Sequence, residues 1–325
     1  MTRGFQVDAF GGPELMIWRE ITLPVLGAHD IEVIVKASGV NFAEVRMRAG
    51  DYGGQEIPFI MGMEASGIVK TVGAEVEDFS VGDRVFGRAR GTHAESVIFT
   101  DEHLMHLPDR LSFVEGAAIA VGWLTAWHAL HTVARIKSGQ RVLIEAVGGS
   151  VGSAALQIAK EAHCWVAGTA STDEKLASAR QWGSDLTVNY CRQSVIDEIM
   201  TATDGLGADV SLMTIGQATA TDLIDSMGMD GKVVMFGSTG GRDITFNLKI
   251  GILNLQLLSM SISTSPDFMS LTMPDFKSRA LPLFAEGLLE PVVDTVLPMS
   301  ELVKAHEMIA SRQHFGKIIM TNDHV

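Results

Sequence analysis

The residues best suited to chemistry form a glycine-rich run, Val147-Gly148-Gly149-Ser150-Val151-Gly152, set between a short apolar stretch and a helix-like one. Gly149 and Gly152 let the backbone approach a ligand closely and let the helix pack on the strand before it. The N–H groups of Ser150, Val151 and Gly152, at a helix start, lack intrahelical acceptors and favour an anion. Strand, glycine turn and helix in that order hold the pyrophosphate of a dinucleotide, and a dinucleotide implies redox chemistry. Val147 replaces the first glycine of the usual G-x-G-x-x-G, so a plain crossover without ligand is the competing reading.

A second group of residues would read the ribose. In such a unit an acid at the end of the second strand bonds the 2′-hydroxyl of NAD, whereas hydroxyl and basic groups suit the 2′-phosphate of NADP. Here the strand ends Gly168-Thr169-Ala170-Ser171, without an acid. Asp173 stands about twenty residues past the glycine turn, the spacing of an NAD-reading acid, but it is expected inside the following helix and pointing away. Ser171-x-x-Glu174 doubles as a capping box, which is compatible with phosphate binding because both use the electropositive helix start.

These residues need elements to hold them. Strand-like runs at 142–144, 165–168, 186–189, 209–213, 232–236 and 258–263 alternate with helical patterns at 149–162, 172–182, 194–202 and 218–227, which indicates a parallel sheet with helices on both faces. The N-terminal part instead holds short β runs at 31–37, 65–72, 83–87 and 94–99, with turn signals at Gly11, Gly73 and Gly82, the pattern of a compact β-rich domain. Helical stretches at 275–286 and 300–312 and a strand at 317–320 close the chain.

A length of 325 residues suits about two domains. The net charge of −14 opposes nucleic-acid binding, while a local basic pocket for one phosphate is compatible with it. Hydrophobic residues make up 46% of the chain, yet the apolar runs are short and broken, so no membrane-spanning helix is expected. The first residues carry neither an apolar export core nor an Arg/Ser-rich presequence, and a cytoplasmic location is expected. Cys164 and Cys191 cannot build a disulfide framework and read as reduced packing residues in or beside core strands. The ten histidines show no H-x-x-x-H spacing and no cluster with cysteine, so they read as surface or core residues.

Several ordered segments, GVNFAEVRMRAGDY (39–52), GMEASGIVKTVG (62–73), VGDRVFG (81–87), the glycine turn, GTASTDEK (168–175), VNY (188–190), GKVVMFGS (231–238) and FGKIIM (315–320), resemble the medium-chain dehydrogenase/reductases. Within them the chain is similar to the zinc-free quinone oxidoreductase branch, which includes ζ-crystallin-like and vesicle-amine-transport-protein-like reductases. The resemblance covers nearly the whole chain. It implies an α/β fold with a GroES-like β-rich catalytic domain made from both chain ends, 1–122 and 265–325. A Rossmann domain with a doubly wound parallel sheet, 123–264, binds NADP, and the cofactor lies in the cleft.

Zinc-dependent relatives carry a Cys where this chain has Asn41 and a His where it has Met63, and their four-cysteine structural lobe is missing, so no catalytic metal is expected. The resemblance assigns Ser171 and Lys175 to the 2′-phosphate of NADPH, with Tyr190 packed beside it. Gly149, Ser150, Val151, Gly152, Gly216, Phe236, Gly237 and Ser238 are further cofactor contacts. Thr125 falls beside the nicotinamide ribose, and Asn41 faces the nicotinamide or substrate, with an amide able to donate to an acceptor carbonyl. Bland readings stand beside these: a solvated lysine, a tyrosine covering a sheet edge, polar caps of a turn or helix. Tyr52 either donates a hydrogen bond or proton to a developing enolate or phenolate, or walls the pocket while solvent supplies the proton.

The implied activity is zinc-independent hydride transfer from NADPH to a quinone or another α,β-unsaturated carbonyl. An enoyl-thioester reductase and a noncatalytic NADPH-binding scaffold are the alternatives. The acceptor pocket is expected among residues 41–52, the loop near His93 and segments around Trp123 and Phe268, with few charges besides Arg46 and Arg48, which suits a small apolar substrate. The β-like run LLSMSIST, 257–264, corresponds to an edge strand that pairs with its copy in a second subunit, so a homodimer is expected; a covered edge in a monomer is the alternative.

Overall fold

The computed structural model describes residues 2–53 and 55–322. Its contacts divide the chain into two compact units, one made of Met1–Val121 with Ala280–Val325 and the other of Gly122–Arg279.

In the second unit six strands pair in parallel in the order Leu186–Asn189, Trp165–Ala170, Arg141–Ile144, Ala208–Met213, Met227–Met235, Gln256–Ser259. This is the doubly wound order, and its reversal between Arg141–Ile144 and Ala208–Met213 marks where such sheets bind ligands. The central strands are mostly apolar and buried on both faces, with Val142, Ile144, Val166, Ala167, Val210 and Leu212 all 0% exposed, as cover on both faces demands. Helices Ser150–Glu161, Asp173–Gln181, Val195–Ala202 and Ala220–Asp225 return the chain between strands.

Near the end of this unit the structure departs from the sequence reading. The last strand is the shorter Gln256–Ser259, because the chain beyond it turns back, with Ser265 N–H donating to the Ser261 carbonyl at 2.8 Å. The helix expected to begin at 275 begins at Phe268 and is wound wide over Phe268–Thr272 and Phe276–Ala280 before a regular Leu281–Glu286. Pro274 and Pro282 lack the N–H needed for regular α-helical bonds, which accounts for the irregular winding. This run docks on its own unit: Trp127 Nε1 donates to Asp275 Oδ2 at 2.8 Å, and His128 Nδ1 bonds Thr272 Oγ1 at 2.6 Å. The unit therefore extends to Arg279, beyond the boundary expected at 264.

The first unit holds a three-stranded antiparallel sheet, Met16–Ile21, Thr2–Val7, Phe59–Ile60, and a seven-stranded one. The latter runs Val293–Pro298, Lys317–Thr321, Asp30–Val40, Glu64–Val72, Arg84–Arg88, Leu104–His106, with Ser96–Thr100 also on Asp30–Val40. Burial alternates over residues 30–37, Ile31, Val33 and Val35 inward, with the period of a sheet that has one covered face, and the strand's last residues, 38–40, are buried on both faces. Lys317–Thr321 returns the chain end to this unit, Ile318 opposite Val40 and Ile319 opposite Gly39. Strands Thr2–Val7, Met16–Ile21 and Val293–Pro298 were not foreseen; each is short and interrupted by Gly, Pro or charge, so the apolar alternation is weak. Cys164 is buried, whereas Cys191 is exposed in the turn after Leu186–Asn189, which corrects its reading as a packing residue. Among the described residues no helix is long and apolar enough to cross a membrane.

Candidate active site

Strand Arg141–Ile144 delivers the chain to the sheet's reversal point, and the turn after it leads into helix Ser150–Glu161. Gly149 is the extended N-cap (φ −80, ψ 167) and no side chain caps the helix. Ser150, Val151 and Gly152 thus form the uncapped first turn of the helix, where its partial positive charge lies. Gly152 is required, because a Cβ there would lie 2.4 Å from the Ala146 carbonyl oxygen. Val147, in place of the first fingerprint glycine, is accommodated by Gly168 on the neighbouring strand, where a Cβ would stand 2.8 Å from Val147 Cγ2.

Glu145, which no motif singled out, joins the two strands at the reversal. It is 3% exposed; Oε2 accepts from the N–H groups of Thr214 (2.8 Å) and Ile215 (3.0 Å), and Oε1 accepts from Thr219 Oγ1. Burial pushes its carboxyl up, against the hydrogen bonds that favour the charged form. The loop it holds carries Gly216 at φ 86, where a Cβ would meet the Gly241 carbonyl oxygen at 2.6 Å, and a Cβ on Gly237 would meet that of Thr214 at 2.3 Å. Phe236 N–H donates to the Met213 carbonyl at 3.3 Å. Gly216, Phe236, Gly237 and Ser238 therefore follow the C-terminal ends of adjacent strands, backbone against backbone.

The residues expected at a 2′-phosphate lie at the ends of the next two strands. Ser171 follows Trp165–Ala170, and Tyr190, 37% exposed, follows Leu186–Asn189 with its N–H donating to the Ala170 carbonyl at 3.2 Å. The helix cap is Thr172 and not Ser171: Thr172 Oγ1 accepts from Lys175 N–H at 3.4 Å, and with Lys175 three residues on, the capping box read at Ser171 is replaced by a simple cap. Lys175 lies half-buried in the first helical turn. Asp173 does not point away. It reaches across to the neighbouring strand end, with Oδ1 accepting from Asn189 Nδ2 (2.7 Å) and Oδ2 paired with Arg192 (2.6 Å). The Asn189 bond, aided by Arg192, holds its carboxyl below the usual range. Arg192, which the sequence reading did not single out, is the cation that pairs with Asp173 at this corner.

In the first unit Asn41 is the centre of a buried network. It precedes helix Phe42–Ala49, and Glu44 Oε1 accepts from both its N–H and its Nδ2 at 3.0 Å. Nδ2 also donates to Glu64 Oε1 (2.9 Å), and Oδ1 accepts from Lys317 Nζ (2.6 Å). Lys317 pairs in turn with Glu64, whose Oε2 accepts from Val121 N–H at 2.7 Å. On the far side Glu44 Oε2 meets His93 Nε2 at 2.7 Å, and His93 Nδ1 bonds Ser38 Oγ at 2.8 Å. Burial alone would raise the Glu44 carboxyl, but the charge and hydrogen bond of His93 outweigh it and leave it lowered.

Two expectations are corrected here. Both amide hydrogens of Asn41 have protein acceptors, so it has no free hydrogen for a carbonyl and instead organises its neighbours. His93, expected in a pocket-lining loop, is 0% exposed. Thr125 is buried within helix Gly122–Trp127 and does not cap it. Tyr52, by contrast, is 46% exposed in the turn after Phe42–Ala49. Its oxygen lies within electrostatic reach of Arg88, a guanidinium that burial lowers and that Glu64 and Tyr52 oppose in raising.

Comparison with known proteins agrees with both units. The alcohol dehydrogenase GroES-like domain family matches residues 27–109, and the zinc-binding dehydrogenase family matches residues 150–285. A quinone oxidoreductase of Sus scrofa is 33% identical over 97% of this chain and 96% of its own. The solved quinone oxidoreductase of Pseudomonas syringae superposes with a TM-score of 0.91 at 28% identity, covering 99% of this chain and 100% of that one. The Escherichia coli quinone oxidoreductase complexed with NADPH gives 0.89 at 28% identity, with 99% and 100% covered.

Proposed function

Because the chain belongs to the quinone oxidoreductase branch of the medium-chain dehydrogenase/reductases, we propose that it is an NADPH-dependent reductase of quinones or other α,β-unsaturated carbonyls that works without a catalytic metal. The observation that carries this reading is the corner at Ser171, Lys175, Tyr190 and Arg192. It places the Ser171 hydroxyl and the Lys175 side chain where a 2′-phosphate would be read, while Asp173 has both oxygens already bonded, to Asn189 and Arg192. The uncapped start of Ser150–Glu161 suits the pyrophosphate. Bound NADPH supplies a hydride from its nicotinamide ring.

The chain's own residues then have distinct tasks. Thr125, Gly216, Phe236, Gly237 and Ser238 hold the cofactor. Tyr52, partly exposed, donates a hydrogen bond or proton to the oxygen that gains charge. Asn41 keeps Glu64, Lys317 and Glu44 in register. Asn41 and Met63, at the positions where zinc-dependent relatives carry ligands, favour a metal-free reaction. The edge strand Gln256–Ser259, outermost in its sheet, supports a homodimer.

The test is NADPH consumption with 1,4-naphthoquinone, with 9,10-phenanthrenequinone, with a crotonyl thioester and with no acceptor, each with and without a chelator. Turnover with the quinones that survives chelation is the expected result. Turnover with the thioester alone would favour an enoyl-thioester reductase, a reading that the net charge of −14 disfavours for an anionic carrier. Cofactor binding without turnover of any acceptor would leave only a noncatalytic scaffold.

A further inference from the structure

We propose that Glu44, His93 and His306 form a binding site for one divalent transition-metal ion, best suited to zinc, inside the first unit. The three come from helix Phe42–Ala49, the segment before strand Ser96–Thr100 and helix Leu302–Ser311. One ligand atom from each lies within 4.8 Å of the others, and the residues are 0%, 0% and 1% exposed.

Two observations beyond proximity point to an ion. Neither ring nitrogen of His306 has a hydrogen-bond partner, an arrangement that buried polar groups rarely tolerate and that a metal accepting a lone pair would relieve. The other two residues are already oriented as ligands are. Ser38 Oγ holds His93 Nδ1 at 2.8 Å and so aims Nε2 at the site, while Asn41 holds Glu44 Oε1 at 3.0 Å and leaves Oε2 for it. Such outer partners fix the orientation of ligands in metal sites.

The donor set selects the ion. Two imidazole nitrogens and one carboxylate oxygen are a zinc set, with bonds of about 2.0–2.2 Å. Calcium wants six or more oxygens, and copper(I) wants sulfur. The His93 Nε2 to Glu44 Oε2 hydrogen bond at 2.7 Å closes the site, and an ion enters by replacing it. None of the three residues occupies Asn41 or Met63, so the ligand set differs from that of the zinc-dependent relatives, and it does not rest on the proposed reaction.

The experiment is a titration of the full chain, stripped by chelation and dialysed, with Co²⁺ followed by visible absorption and then by displacement with Zn²⁺. One equivalent with four-coordinate absorption is expected, a water completing the three protein ligands. Ser38→Ala should weaken binding about 10–100-fold, and Glu44→Gln and His306→Phe by at least as much. His29→Ala, which removes the exposed histidine between Glu75 and Asp101, should leave binding unchanged. If the ligand variants do not fold, the wild-type spectrum and Ser38→Ala decide the matter. The proposal fails if the wild type takes up no stoichiometric ion, if binding survives His306→Phe, or if it is lost in His29→Ala. Quinone-dependent NADPH consumption, measured on stripped and loaded protein, tests the proposed reaction independently.

Discussion

Lys317→Met removes the ammonium that pairs with Glu64 inside the first unit, and the loss can be sized from the surroundings. Lys317 and Glu64 are 2% and 0% exposed, so water does not screen the pair. Without Lys317, Glu64 keeps Val121 N–H at 2.7 Å and Asn41 Nδ2 at 2.9 Å but loses its cation, and Asn41 Oδ1 loses its donor at 2.6 Å. Breaking one side of a buried pair costs about 3–5 kcal/mol, a large share of the roughly 5–15 kcal/mol that holds a domain. Glu64→Gln alone should cost a similar amount by stranding the ammonium. Lys317→Met with Glu64→Gln removes both charges, and Met keeps most of the stem that lies over Gly39, so the double variant should lose less than the sum of the singles by up to about 3 kcal/mol. Hydrogen exchange read by mass spectrometry on peptides from Lys317–Thr321 and Glu64–Val72 reports this unit alone, while Arg141–Ile144 serves as a control in the other. A loss below about 1 kcal/mol in Lys317→Met, or additive singles, would refute a desolvated pair.

Lys175→Ala should weaken NADPH binding about tenfold to hundredfold, the general worth of a charge-assisted contact, and leave NADH binding and the saturated rate nearly unchanged; equal effects on both cofactors would make Lys175 an ordinary helix residue. Burial, and then Arg279, push His131 down to about 4, so the folded protein keeps it neutral while the unfolded chain protonates near 6.5. Its stabilisation is full above pH 6.5 and is lost as pH falls toward 4, at most about 3.5 kcal/mol at roughly 1.4 kcal/mol per unit. His131→Phe should flatten that stretch of the urea-stability profile, and an unchanged slope would contradict it. Light scattering at micromolar concentration should return twice the 34.9 kDa of one chain, and a monomer mass would rule out the paired edge.

The dinucleotide unit was legible from residue 141 to residue 189 because its signals are local. An apolar run, a glycine turn and a helical period are properties of neighbours in the chain, and they place Arg141–Ile144, Ser150–Glu161 and Leu186–Asn189 within a residue or so. The candidate phosphate corner was legible as residue types, Ser171, Lys175 and Tyr190, but not the engagement of Asp173, which Asn189 and Arg192 decide from 16 and 19 residues away. Where the second unit ends depends on bonds from Trp127 and His128 to residues 148 and 144 positions later. Asn41 shows the division most clearly. Its amide could by type have faced a substrate, yet the register of Lys317–Thr321 on Asp30–Val40 brings Lys317 to it across 276 residues, and Glu64 arrives from a third strand. Sequence determined which groups could donate, accept or carry charge; packing of distant strands and helices determined which of them met, because a buried polar group must find its partner wherever the fold delivers one.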